Sequence, residues 1–374
     1  FSDNVALDDE KNLKAIAERK GLLVMGPDCG TAIVNGIGLG FANSVPRGRI
    51  GIVAASGTGA QEVSSILARL GVGISQLIGT GGRDLSRSIG GVTTRMGLEA
   101  LISDETTDAI VLISKLPDDE VAGAILEIAR RGGKPTVIYF AGSQERRSEA
   151  NLHFTPTLTE TALKAAQVVT GKDFTSRLST GDETNEHFQR LLEALPASRI
   201  YLRGLFTGGT LAQEALFIIG PSLGNINTNM HLTDFSLLKD PTTSLDHTVI
   251  DLGDDVFTRG RPHPMIDQTF RLARLHKELS DPQTAVILLD VVLGYGCNMD
   301  PAGEIVATIR SHLGKDRLGE GDPVVIASVC GTPGDPQNYE LQRQKLKAAG
   351  IIVAETNAFA CELALSALMR KGNG

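Results

Sequence analysis

An α/β protein made of two doubly wound domains with parallel sheets is what the sequence predicts, and three observations predict it. Short continuous apolar runs alternate with amphipathic helical patterns along most of the 374 residues. Runs of that kind suit parallel strands buried on both faces, with helices covering them. Two of the runs lead into turns of Ser, Thr and Gly alone, "SGTG" at 56–59 and "TGGT" at 207–210. The elements that follow each turn come in the same order in both halves, an order that any two doubly wound domains would also share.

Taken along the chain, the predicted strands are "GLLVM" (21–25), "RIGIVAAS" (49–56), "AIVLISK" (109–115), "PTVIYFAG" (135–142), "RIYLRGLF" (199–206), "TAVILLDVVLG" (284–294), "DPVVIASVCG" (322–331) and "AGIIVAE" (349–355). Between them, "AQEVSSILARLG" (60–71) and "EVAGAILEIARRGG" (120–133) read as amphipathic helices, the second stopped by Gly after basic residues. The opening, "FSDNVALDDEKNLKAIAERKGLLVMG", reads as a strand tail, a loop, a helix and a strand, the end of a βαβ unit that starts upstream. From 141 to 198 the chain turns polar, with helical pieces and no convincing strand. The expected division is therefore a remnant at 1–45, a first domain at 46–145, a connector at 146–198 and a second domain at 199–374.

Composition narrows the partners. A net charge of −8 argues against nucleic acid or an anionic membrane as a partner. Aromatics make up 4% and Trp is absent, too few for a base-stacking platform. No apolar run approaches the roughly 18–20 residues of a membrane span. The four cysteines, Cys29, Cys297, Cys330 and Cys361, are scattered without a C-x-x-C pair. They read as reduced thiols of a cytoplasmic protein, with no zinc or other metal site.

The two turns carry the chemistry. A helix N-terminus exposes unpaired N–H groups and the positive end of its dipole, Gly lets an anion come close, and Ser or Thr adds donors. Ser56, Gly57, Thr58 and Gly59, and likewise Thr207, Gly208, Gly209 and Thr210, fit a phosphate or carboxylate site, and they fit plain helix capping as well. "GTGGRDLS" offers Arg83 and Asp84, and "RGRPHPMID" offers Arg259, Arg261, His263 and Asp267 between stiffening prolines. Arg matches planar anions and His exchanges protons near neutrality, while ordinary surface ion pairs would need the same residues. "IDLGDD" (250–255) fits either a cation or turn caps, and His153 stands alone. "IVNGIGLGFAN" (33–43) precedes no convincing helix and is discounted as a dinucleotide fingerprint; neither a Walker A loop nor a zincin or hydrolase motif occurs.

"GPDCGTAI", "GIVAASGTGAQE" and "IGTGGRD" resemble the α-subunit of succinyl-CoA synthetase, and the second half resembles the ligase domain of its β-subunit. The resemblance is closer still to the FdrA proteins, acyl-CoA-synthetase-like chains that fuse the two, through "FSDNV", "GLLVMGPDCGT", "GGRDLSR", "FTGGTLAQEA", "VIDLGDD" and "GRPHPMIDQT". It implies two flavodoxin-like, ligase-type domains after the remnant of a CoA-binding-like Rossmann domain, which would bring CoA to the full-length protein. It implies a subunit of an oligomeric carbamoyltransferase of anaerobic allantoin degradation, working with partner subunits of that pathway on carbamoyl phosphate and oxamate to give oxalurate and phosphate. The two turns would hold the phosphate, Arg83 or Arg261 would clamp an anion, and His263 would assist proton transfer. An acyl-CoA synthetase or succinyl-CoA ligase-like subunit acting on acyl-CoA, and a non-catalytic phosphate- or CoA-binding scaffold, are the alternatives. The synthetase's phosphohistidine loop has no counterpart here, since "SQERRSEANLHF" lacks G-H-A-G.

Overall fold

The computed structural model describes residues 4–143, 145, 148–178 and 182–372. Residues 1–3 of "FSDNV" and residues 144, 146 and 147 of "SQERR" lie outside that set. The chain divides into two compact units, Phe1–Arg177 with Gly294–Gly296, and Leu178–Leu293 with Cys297–Gly374.

The first unit opens with α1 (Leu7–Arg19), whose first turn carries Asp8, Asp9 and Glu10 against the positive end of the helix. The strand expected at 21–25 does not form. The sheet edge it would need is taken by β1 (Thr31–Val34), which pairs antiparallel with a later strand and with β2 (Ile37–Gly40). These two strands make a hairpin turned by Asn35 and Gly36, both at positive φ (52° and 81°). That is the N-G turn whose twist matches paired strands, so the glycine-rich 33–43 stretch is a hairpin.

From there the doubly wound pattern holds. β3 (Arg47–Ala54), α2 (Gly57–Arg69), β4 (Ile74–Gly79), α3 (Val92–Ser103), β5 (Ala109–Ser114), α4 (Asp119–Gly132) and β6 (Thr136–Phe140) follow in alternation. Every residue of β5 and β6 is buried, as their continuous apolar runs require. The polar stretch after β6 is not all connector. It supplies β7 (Ser148–Glu149) and β8 (Leu152–Phe154), then α5 (Leu158–Thr170), capped by Thr157 and packed through Ala162, Ala165 and Ala166. A three-residue strand with one fully buried side chain, Leu152, offers no periodicity to read. The sheet order is β2-β1-β4-β3-β5-β6-β8-β7, parallel from β4 to β8 and antiparallel only at its two margins.

The second unit begins with α6 (Asp182–Glu193). It continues through β9 (Tyr201–Phe206), α7 (Gly209–Leu223), β10 (Asn227–Thr228), β11 (Ser236–Leu237), β12 (Thr248–Asp251), α8 (Asp255–Thr258) and α9 (Thr269–Ser280). β13 (Thr284–Val292), α10 (Pro301–Leu313), β14 (Val324–Cys330), α11 (Tyr339–Ala348), β15 (Ile352–Ala354) and α12 (Asn357–Gly372) complete it. Its seven strands are all parallel, in the order β11-β10-β12-β9-β13-β14-β15. The chain runs from β9 to one side and then crosses to β13 on the other. That reversal opens a crevice at the carboxyl ends of β9 and β13, the usual ligand position in such sheets. In the first unit the same reversal falls between β3 and β5.

Candidate functional site

In the first unit, three glycine-rich segments separated in sequence meet at the end of β3. Ser56 caps α2, its Oγ accepting from Gly59 N at 3.0 Å. That leaves Gly57 and Thr58, first in the helix, with N–H groups that have no intrahelical acceptor. A β-carbon added to Gly57 would stand 3.3 Å from Thr31 Oγ1. One added to Gly79 would overlap Cys29 Sγ and the Thr31 carbonyl, and one added to Gly81 would overlap the Pro27 carbonyl. The loops 26–31 (with a cis Gly26–Pro27 bond) and 79–82 are thus packed backbone to backbone beside the α2 turn. The first turn of α2 contains no acidic residue, so the helix dipole there is not offset locally.

The charged residues of the next loop look elsewhere. Arg83 reaches α1, its Nε donating to Glu10 Oε2 at 2.9 Å and an Nη to the Val5 carbonyl. Arg83, expected to clamp an anion, is thus paired with α1 here, with its side chain half exposed. Asp84 is fully buried, pairs with Lys14 at 2.6 Å, and accepts the N–H groups of Thr93 and Thr94 at the start of α3. His153 lies on β8, with Nδ1 3.2 Å from Ser148 Oγ, and burial lowers its pKa.

The second turn is built on the same plan with a different outcome. The helices start on matching residues: "GTGAQE" opens α2 at Gly57 and "GTLAQE" opens α7 at Gly209. Here, however, the carboxylate of Asp290, buried near the carboxyl end of β13, meets the two residues just before the helix. Its Oδ1 accepts from Thr207 N at 2.8 Å, and its Oδ2 accepts from Gly208 N at 2.8 Å and Thr207 Oγ1 at 3.0 Å. Arg271, also buried, pairs with the same carboxylate at 3.1 Å. Thr207 and Gly208, expected to hold phosphate, here give their N–H groups to an internal carboxylate. Gly209 sits against Asp251, whose carboxylate an added β-carbon would overlap.

Of the "RGRPHPMID" residues, His263 comes to this turn and Arg261 does not. A β-carbon at Gly253 would lie 2.6 Å from His263 Nε2 and 2.9 Å from the Thr207 carbonyl. Nδ1 of His263 accepts from Met265 N at 3.2 Å, which puts the proton of the neutral ring on Nε2. Arg261 instead lies over the Phe270 ring, 5.6 Å from its centre. Asp251 and Asp254 accept from Gly253 N and Val256 N, the turn-capping arrangement for "IDLGDD". Among the described residues no group of three His, Cys, Asp or Glu is placed to hold a metal ion, and no helix is long and apolar enough to cross a membrane.

Sequence reasoning missed Asp290, Lys14 and the buried pairs Gln61–Glu62 and Gln213–Glu214. Asn43 Oδ1 accepts from Gln61 at 3.1 Å, and Asn357 donates to Glu214 at 2.8 Å. The repeated G-T-x-A-Q-E was a readable signal for the pairs, and a lone Asp inside "AVILLDVVLG" was one for Asp290.

Compared with known proteins, the chain is 44% identical to YahF of Escherichia coli (strain K12), described as an uncharacterized protein, over 359 residues, which is 96% of this chain and 69% of that one. The chain belongs to the YahF family. Residues 205–367 match the CoA-ligase family model, on the half read from sequence as β-like. Residues 46–142 match the CoA binding domain model, on the stretch expected to be a first ligase-type domain; the CoA-binding-like remnant was expected at 1–45. The succinate–CoA ligase [ADP-forming] α-subunit of Aquifex aeolicus (strain VF5) is 33% identical over 122 residues, 32% of this chain and 39% of that subunit. The matched stretch thus spans less than half of that subunit. A solved dinucleotide-forming acetyl-coenzyme A synthetase of Ca. Korarchaeum cryptofilum aligns over 98% of this chain and 74% of its own, at 16% identity and a TM-score of 0.33. The CoA-ligase and CoA binding models thus match the second and first halves of the chain, in keeping with the resemblance that the motifs carry.

Proposed function

We propose that the chain is the oxyanion-binding subunit of a CoA-ligase-type acyl-transfer enzyme, with an acyl phosphate as its small anionic substrate. The observation that carries the reading is the α2 turn, where Gly57 and Thr58 offer N–H groups beside the packed 26–31 and 79–82 loops. In an acyl phosphate, a nucleophile attacks the carbonyl carbon, the carbon–oxygen bond to phosphorus breaks, and phosphate leaves with the electron pair. Preorganised donors at the leaving phosphate stabilise the charge that develops there. With the CoA thiolate as nucleophile the products are acyl-CoA and phosphate. Cytoplasmic location and assembly with partner subunits belong to the same proposal.

A second reading, carbamoyl transfer to oxamate, draws support from the histidines. Residues 1–177 contain only His153. It lies on β8, three strands from β3, or about 14 Å at the usual strand spacing. A phosphoryl relay through that ring would have to cross the gap, whereas carbamoyl phosphate arrives already activated. In this reading the oxamate amide nitrogen attacks the carbamoyl carbon and loses a proton, phosphate departs, and oxalurate forms. His263 is retained as a candidate for proton transfer.

Calorimetric titration with phosphate, acetyl phosphate, carbamoyl phosphate and CoA, against a Ser56→Ala/Thr58→Ala control, tests both. Acyl phosphate binding that is lost in the control supports the turn as the site. Carbamoyl phosphate binding without CoA binding selects the transferase, and covalent phosphate from γ-labelled ATP on a histidine selects the ligase. Silence from all four ligands overturns the proposal and leaves a scaffold.

A further inference from the structure

Two histidines, 36 residues apart in sequence, meet at the surface of the second unit. His276 stands on α9 and His312 on the last turn of α10, and these two helices pack side by side. Helical spacing sets the seam between them. Leu272 and His276 on α9, with Glu304 and Thr308 on α10, line one shallow groove, and His312 follows Thr308 by four residues on the same face. The imidazole planes are nearly perpendicular, at 88°, with ring centres 4.7 Å apart. His312 Nδ1 lies 3.5 Å from His276 Nε2. Among the described residues neither ring has another hydrogen-bond or ion-pair partner.

That separation is long for a hydrogen bond, in which a ring N–H prefers its acceptor at about 2.7–3.2 Å. It matches two nitrogens held on one tetrahedral ion, about 3.4 Å apart for bonds of about 2.1 Å. We infer that His276 Nε2 and His312 Nδ1 form a two-nitrogen site for a divalent transition ion such as zinc or copper, with water in the remaining positions. His276 is exposed and His312 half-buried, so modest rotation of the rings directs both lone pairs at one ion. Imidazole donors suit zinc, copper and nickel, whereas magnesium and calcium take oxygen. Glu304 does not join the pair. Its Oε1 accepts from Asn298 at 2.9 Å and its Oε2 from Gln268 at 3.1 Å, and eight residues of helix set it about 12 Å from His312. The last turn of α10 brings the negative end of its dipole to the site, which favours a cation. Arg310, two residues before His312, is held by the Asp316 carbonyl at 3.2 Å, and Lys277 leaves α9 about 100° round the helix from His276. The site is independent of the α2 turn, and the ion would tie α9 to α10.

The test is zinc titration of the full chain at pH 7.5, by calorimetry and by NMR of the imidazole rings. One zinc should bind per chain and shift the rings of His276 and His312 ahead of the other histidines, and magnesium should do neither. His276→Gln and His312→Gln should each lose that binding. Zinc should raise the urea midpoint of the unsubstituted chain and leave those of the two variants where they are. His231→Gln, at an exposed histidine elsewhere, should bind as the unsubstituted chain does. No zinc uptake, or ring shifts that begin at other histidines, would overturn the inference without any variant having to fold. Zinc binding kept at unchanged affinity by either folded variant would overturn it as well.

Discussion

Lys14 Nζ lies 2.6 Å from Asp84 Oδ1, with the two side chains at 1% and 0% exposure. Lys14 also donates to the Thr80 carbonyl at 3.2 Å and pairs with Glu10 at 3.1 Å. Asp84 in turn holds the start of α3. The loop that carries Gly79 and Gly81 is thereby pinned between α1 and α3, and through it the backbone beside the α2 turn is set.

Lys14→Met should therefore be among the costliest single substitutions in the first unit. It leaves the buried Asp84 carboxylate without its cation and Glu10 with Arg83 alone, and breaking a buried pair in this way costs about 3–5 kcal/mol. Urea unfolding measures it. A loss below about 1 kcal/mol, the scale of an exposed ion pair, would show that the site relaxes or admits water.

Two glycine substitutions should have opposite signs. Gly79→Ala drives a β-carbon into Cys29 and the Thr31 backbone, and overpacking of this kind costs about 1–3 kcal/mol. It should also weaken phosphate binding, because the 26–31 loop must shift. Gly123 sits inside α4 with nothing within 4 Å of an added β-carbon. Gly123→Ala should raise stability by about 0.5–1 kcal/mol with phosphate binding unchanged. Denaturation midpoints and phosphate titration of both variants decide the matter.

Thiol chemistry should be silent in the native chain. Burial, with Asp335 adding to it, pushes the Cys297 thiol up to about 12, and burial raises Cys29 as well. Cys330 and Cys361 are buried. At pH 8 a thiolate-seeking reagent should label these four slowly in the folded state and rapidly in denaturant. Fast native labelling at Cys297 would mean that its pocket opens.

Acidification should weaken the second unit through His247. Burial, and then the Arg203 guanidinium, lower its pKa below the ordinary 6.5, and Asp246 opposes them. Its Nδ1 accepts from Leu202 N at 3.1 Å, a bond that a protonated ring cannot make. Below pH 6.5 the unfolded chain binds the proton that the folded chain resists. This contribution is complete above that pH and fades as pH falls toward the folded-state value. Urea midpoints at pH 7.5 and 5.5 should differ, and His247→Gln should narrow the difference. An unchanged difference would assign it to other groups, among them His153 and His187, which burial shifts the same way.

Legibility followed the length and regularity of each signal. β5, β6, β9, β13 and β14 were readable because a strand buried on both faces has to be apolar throughout. β8 was not, since three residues with one buried side chain carry no pattern. The "GLLVM" run looked like a strand and is none, because β1 took the edge beside β4. Arg83 and His263 looked alike on paper as charged residues in glycine- or proline-framed loops. Only the fold turned Arg83 toward Glu10 and brought His263 beside Thr207.

By itself the sequence determined the parallel α/β architecture of both halves, the two S/T/G turns at helix starts and the likeness to CoA ligases. Each of these rests on local chemistry: apolar continuity, helix capping and the need for glycine where backbones touch. Only the tertiary structure decided what meets each turn. A backbone donor's partner depends on what packs beside it from the neighbouring strand: Thr207 and Gly208 donate to the buried Asp290 carboxylate of β13, whereas Ala55 donates to the Ile113 carbonyl of β5.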